Sequence, residues 1–362
     1  MLIVTQRQPL EQMYATSGYQ QIRSALSRLE SPRDKVLALD DPEELRPLEL
    51  NTASSSDQIK GTIRTLAMQV PSLVDSVLLV GGGQVVPFFS ILNPVTDRNV
   101  DPDPVVLTDN PYGSAADALE EYLAPSLPVG RLAVRDGAAL GEFESAVQSL
   151  INRPPRAGQN GAAIFVNDDW IGYSQRVATA LPGPQTWHVS PGYVADSSSE
   201  EDAGFQTLYF NLHGFNGDSD WKGYSTVQRQ FVPAVNPGFI DRAFVAGALA
   251  FAECCYGAQI AGRSAQNSCA LKFVQAGATF IGATGLAFGS YIASDFLLED
   301  ADFLVRAFFQ AIRGGASVGT ALMASRKAYL LDSSEARQGQ AWQCKQKTLL
   351  QFVLYGNPTL IH

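Results

Sequence analysis

Short runs of Val, Ile, Leu, Phe and Ala recur along the chain, and between them apolar positions return every three or four residues. The runs predict strands at 2–5, 35–40, 76–81, 105–109, 162–168, 207–212, 248–253, 278–283 and 351–356. The helical spacing predicts helices at 19–30, 57–70, 139–152, 174–181, 269–277 and 302–315. Strands that are apolar almost throughout, separated by amphipathic helices, predict an α/β fold: a mostly parallel sheet sandwiched by helices. The segment RPPRAGQNG (153–161) breaks the pattern with Pro, Gly and Arg. It divides the chain into two α/β subdomains, 1–155 and 156–362. The stretch 195–204 reads as an exposed acidic loop, and no internal repeat is evident.

Composition narrows the classes. Apolar residues make up 46% and charged residues 17%, enough for a large core and unlike a disordered chain. A formal net charge of −10 repels nucleic acid and anionic lipid, so neither is expected as a partner. No apolar run reaches the roughly 18 residues of a membrane span, and the first residues lack the features of a secretory signal. A cytoplasmic location is the expectation. Four cysteines do not make a disulfide framework, and Cys254, Cys255, Cys269 and Cys344 lack zinc-ligand spacing, so no cofactor is expected. There are three histidines, His188, His213 and His362, and histidine chemistry must use one of them.

In open α/β sheets functional groups collect at the carboxyl ends of strands. The strand at 207–212 runs into His213-Gly214, and the strand at 248–253 into Cys254-Cys255-Tyr256-Gly257. The segment between them is long enough for a crossover, so the two strands can lie parallel and adjacent, with imidazole and thiol on one edge. A thiol attacks a carbonyl as the thiolate, and an imidazole can take its proton. Gly214 would admit a substrate carbonyl, and the N–H groups of Gly214 and Cys255 would hold an oxyanion. The competing reading, that both cysteines are buried apolar residues, is the usual fate of free cysteine.

FNLHGFNGDSDW (210–221) resembles the histidine motif of the gingipain family, and LAFAECCYGAQI (249–260) resembles its cysteine motif. SVLLVGGGQVVPF (76–88), LTDNPYG (107–113), LPVGRLAV (127–134) and QFVLYGNPTLI (351–361) are similar to further conserved strings of that family, in the same order. Two departures are that the first 55 or so residues match nothing in it, and that Asn357 stands where Asp is usual. The resemblance implies a caspase-like fold and a cysteine endopeptidase with Cys255 as nucleophile, His213 as its partner and Cys254 as a core neighbour. It implies a protein or peptide substrate, and an acidic residue, Asp168 or Asp169, meeting a P1 Arg or Lys. The same two residues could instead cap the following helix.

Glu253 is expected beside the substrate pocket rather than as a base. Trp221 and Tyr256 are expected either in the cleft or in the core. Asp109 either orients His213 as a triad member or ends a turn before Pro111. Gly81-Gly82-Gly83 lacks the lysine and spacing of a phosphate loop. Asn216–Asp220 resembles part of a calcium loop without its terminal glutamate, which leaves structural calcium open. A latent zymogen, opened at Arg153 or Arg156 by an activating protease or regulator, is also expected. The competing function classes are a catalytically silent caspase-like binding or scaffold module and a nucleotide-binding protein.

Overall fold

The computed structural model describes residues 1–151, 159–195, 204–243, 247–289, 291–293, 296–298, 301–332 and 338–362. Ten strands make one central sheet. In chain order they are β1 (Leu2–Thr5), β2 (Lys35–Ala38), β3 (Val77–Val80), β4 (Val129–Leu132) and β5 (Gln159–Asn167). The others are β6 (Gln185–Ser190), β7 (Phe205–Asn211), β8 (Leu249–Ala252), β9 (Thr279–Ala283) and β10 (Phe352–Tyr355). The spatial order is β2-β1-β3-β4-β10-β9-β8-β7-β5-β6.

Every neighbouring pair is parallel except β9–β10. The sheet is therefore two parallel blocks running in opposite directions, and the C-terminal strand β10 seals the block of residues 1–151 to the other. The expected boundary between residues 155 and 156, and the expected cleavage positions Arg153 and Arg156, lie outside the described residues. So does most of the acidic stretch at 195–204.

Side chains alternate between the two faces of a strand, and here both faces are buried. Leu249, Phe251, Tyr209 and Ile281 pack on one face against α6 (Ala301–Arg313) and α7 (Val318–Leu331), with α4 (Ile171–Ala178) alongside. Ala250, Ala252, Phe210 and Phe280 pack on the other against α5 (Cys269–Gln275). The first block has its own core, closed by α1 (Arg7–Ser27), α2 (Ser56–Gln69) and α3 (Leu140–Ile151).

Some elements depart from the sequence expectation. The run at 105–109 pairs antiparallel with Phe89–Leu92 in a separate hairpin instead of joining the sheet. The segment around His188 is the edge strand β6, and the α7 and α8 (Gly339–Gln351) helices were not read from periodicity.

Asp109 does not face His213. Both its oxygens are taken by Arg131 of β4, at 2.9 Å from Nε and 2.6 Å from Nη2. Arg131 is fully buried. Its Nη1 also donates to the carbonyls of Gly81 and Val86, and its guanidinium lies 4.0 Å from the Phe88 ring centroid. Of the two readings the turn before Pro111 holds and the triad role does not: Asp109 precedes the 3-10 turn Asn110–Gly113 and neutralises a buried structural arginine. Asp109→Ala leaves that charge unpaired and is expected to cost about 3–5 kcal/mol in denaturant unfolding; a loss below ~1 kcal/mol would contradict the clamp.

Candidate active site

Four parallel strands, β5, β7, β8 and β9, end side by side, and their carboxyl ends carry the polar groups of one cavity. The cavity encloses about 280 Å³. It is lined by Trp170 and Tyr173 after β5, Asn211 and His213 after β7, and Glu253 and Cys255 after β8. Leu286, Ala287 and Gly289 follow β9, and Asp302 opens α6. The sequence expectation that β7 and β8 lie parallel and adjacent holds, with Phe210 opposite Ala252.

Alternation sorts the residues at the end of β8. Glu253 continues the face of Leu249 and Phe251, while Cys254 continues that of Ala250 and Ala252 and is fully buried. Cys255 then emerges half-buried into the cavity. Its Sγ accepts the Ala287 N–H at 3.3 Å. Burial pushes the thiol above its ordinary value, although the Ala287 N–H and the Lys347 charge pull the other way.

His213 sits between two rings, with centroids 4.3 Å from Trp170 and 5.1 Å from Phe231. Its backbone is pinned by a reciprocal pair of 2.8 Å hydrogen bonds with Lys222. Burial lowers the imidazole below its ordinary value, countered by the charge of Asp169. Both shifts favour an uncharged thiol and an uncharged imidazole at rest.

Gly214 is required by packing. A Cβ there would lie 1.9 Å from the Cys255 carbonyl oxygen, so the two loops touch backbone to backbone. Gly214→Ala is expected to push the loops apart, lower the melting temperature and remove any hydrolysis at this site; an unchanged kcat would show that the loops yield.

The floor of the cavity is acidic. Glu253 and Asp302 are both buried. Tyr209 donates its hydroxyl to Glu253 Oε2, and among the described residues Glu253 Oε1 has no hydrogen-bond partner. Asn211 Nδ2 reaches Ser174 Oγ at 3.0 Å and Asp302 Oδ1 at 3.5 Å. Burial and the neighbouring Asp302 charge raise the Glu253 carboxyl well above its usual range.

Comparison of this fold with solved structures finds the crystal structure of the Arg-specific cysteine proteinase gingipain R. The TM-score is 0.64 at 12% identity, covering 99% of this chain and 77% of that one. The chain has a gingipain-like fold. The complex of the pro- and mature domains of RgpB from Porphyromonas gingivalis is also similar, with TM-score 0.59, 12% identity, and 99% and 79% covered. No protein-family model and no curated protein sequence matches the chain. Among the described residues, no helix is long and apolar enough to cross a membrane.

On this gingipain-like frame, Trp221, Asp168 and Asp169 all lie outside the lining of the cavity. Trp221 is not in the cleft: it is 5% exposed and stacks with Phe273 and Phe280 in the core. Asp168 and Asp169 form a turn of 3-10 helix after β5 and do not line the cavity. Asp169 is exposed and acts on His213 through its charge. The acidic floor comes instead from Glu253, expected beside the pocket, and from Asp302, which was missed. A signal for Asp302 exists: with Val305, Phe309 and Ile312 it lies on the buried stripe of α6, where a carboxylate is out of pattern. In the segment Asn216–Asp220, which resembles part of a calcium loop, the Asp218 carboxylate takes Lys222 Nζ at 2.5 Å. Among the described residues no group of three or more His, Cys, Asp or Glu gathers to hold a metal ion.

Proposed function

We propose that this chain is a cysteine endopeptidase that cleaves protein or peptide substrates after Arg or Lys. The observation that carries the reading is one cavity holding His213, Cys255 and the buried Glu253 carboxyl at the ends of adjacent strands. In the proposed mechanism His213 takes the Cys255 proton as Sγ attacks the scissile carbonyl carbon. The N–H groups of Gly214 and Cys255 stabilise the oxyanion, and the imidazolium then protonates the leaving amine. Water, deprotonated by His213, releases the acyl group and restores the thiol.

A P1 cation would seat between Glu253 and Asp302. Two carboxyls across one cavity suit a guanidinium, which can bond both through charge-assisted contacts. Gingipain R, described as Arg-specific, is in keeping with that choice. Latency belongs to the same proposal, with activating cleavage at Arg153 or Arg156 raising activity; full activity from an uncut chain would remove it.

The test is hydrolysis of fluorogenic peptides ending in Arg, Lys, Asp, Asn or Leu by wild type, Cys254→Ala and Cys255→Ala. Cleavage after Arg and Lys, kept in Cys254→Ala and lost in Cys255→Ala, is the expected result. No cleavage by wild type before or after limited proteolysis would favour a silent binding module, and equal rates on Arg and Leu peptides would remove the acidic subsite.

A further inference from the structure

Lys347 on α8 is fully buried, an unusual place for an ammonium group. Its Nζ donates to Asp101 and, at 2.9 Å, to Asp103 Oδ2. Asp103 lies on the loop before the hairpin strand Val105–Thr108, so the first part of the chain reaches this edge of the sheet. Its carboxylate is shared further. Oδ1 accepts the Tyr256 hydroxyl at 2.8 Å, and Oδ2 accepts the Leu286 N–H at 2.9 Å. A Cβ on Gly285 would lie 2.6 Å from Asp103 Oδ2, so the carboxylate passes directly over that glycine.

The two loop residues that Asp103 holds are next in sequence to Cys255 and to its hydrogen-bond donor Ala287. Tyr256 is the residue after Cys255, and its φ of +56° is in the left-handed region that a tyrosine adopts only under external constraint. The Tyr256 N–H also bonds the Gly285 carbonyl at 2.8 Å, which ties the two loops a second time. Leu286 precedes Ala287, whose N–H donates to Cys255 Sγ. One carboxylate therefore fixes the loop that carries the thiol and the loop that supplies its hydrogen bond. Burial alone would raise Asp103, but Lys347, Leu286 and Tyr256 together hold it below its usual value, so it stays an anion and an acceptor. An ionic cluster is a poor device for stability alone, since well-packed apolar residues commonly do as well.

We propose that Asp103, seated on buried Lys347, is a positioning residue that aims Cys255 by clamping Tyr256 on one loop and Leu286 on the other. The inference rests on the proposed cysteine peptidase activity, but its physical content is the geometry around one sulfur. Among the described residues, the charged and titratable groups around that sulfur are Lys347, Asp101, Asp103 and Tyr256 on one side, His213, Glu253 and Asp302 in the cavity, and Cys254 next in the chain.

The experiment is Tyr256→Phe, which keeps the ring and deletes only the hydroxyl that Asp103 holds, with Asp103→Asn as a second variant. Two readouts are taken on the full chain: kcat and KM on an Arg peptide, and the pH dependence of Cys255 alkylation by iodoacetamide, followed by peptide mass spectrometry. Tyr256→Phe is expected to melt within about 2 °C of wild type and to lose about 10–100-fold in kcat with KM within twofold. The midpoint of Cys255 alkylation should move to higher pH, because the thiolate loses a fixed N–H donor. Asp103→Asn should show the same split between kcat and KM. Wild-type kcat in Tyr256→Phe, or a lowered melting temperature with the alkylation midpoint unmoved, would overturn the proposal. Alkylation needs no substrate, so a wild type that hydrolyses no peptide before or after limited proteolysis defeats the peptidase reading, and the midpoint still decides the positioning role.

Discussion

His213→Ala is expected to lower kcat/KM on Arg peptides by about 10²–10⁴-fold, the span that a positioned general base supplies. Burial lowers the imidazole and raises the thiol, so between their two titrations both groups are uncharged. In the proposed mechanism the active form is then neutral His213 with protonated Cys255. Activity should fall on the acid side as His213 gains a proton, below its ordinary value of about 6.5, and on the alkaline side as the thiol ionises above about 8.5. Alkylation of Cys255 should be slow at neutral pH and rise through a midpoint above the ordinary thiol value. That midpoint should barely change in His213→Ala, because the imidazole carries no charge there. An alkylation midpoint in the acid range, lost with His213, would instead mean a preformed thiolate–imidazolium pair and would defeat this account.

Glu253→Gln should separate specificity from chemistry. Removing one carboxylate of a desolvated pair with a P1 cation is expected to lower kcat/KM on Arg peptides by about 10²–10³-fold, in line with the 2–5 kcal/mol such truncations cost. A Leu peptide should be nearly unaffected. The pH dependence has a definite sign. Burial and the Asp302 charge keep the Glu253 proton on well above the usual carboxyl range. A cation binds the ionised form, so kcat/KM on Arg peptides should rise as pH passes through that ionisation, with release of a proton on binding. Glu253→Gln should flatten the rise, and Asp302→Asn should move it to lower pH by removing the like charge. Equal losses on Arg and Leu peptides would show that Glu253 supports the fold and not the subsite.

The site's two central residues were legible because their chemistry is local. A strand that runs into His-Gly, and another that runs into Cys-Cys-x-Gly, announce themselves wherever strand ends collect function. The choice of Cys255 over Cys254 came from the resemblance to the family's cysteine motif, and the structure buries Cys254 in the core while Cys255 lines the cavity. The resemblance implies an acidic subsite at Asp168 or Asp169, in the loop that follows β5. Whether they reach the cavity depends on the turn that follows, and there Trp170 and Tyr173 face it instead.

The pattern of apolar runs thus determined most of the central strands, the mostly parallel sheet buried on both faces and the edge of the sheet that carries His213 and Cys255. Tertiary structure alone decided the rest. It set β10 between two blocks, parallel to one and antiparallel to the other, gave Asp109 to Arg131, put Trp221 in the core and brought Asp302 into the same cavity as Glu253. It also brought Asp103 and Lys347 together from positions 244 residues apart. Periodicity records which face of an element is buried, because burial free energy scales with apolar area and repeats with the geometry of the backbone. A buried charge repays its desolvation only through a particular partner at hydrogen-bonding distance, and that partner can lie anywhere in the chain.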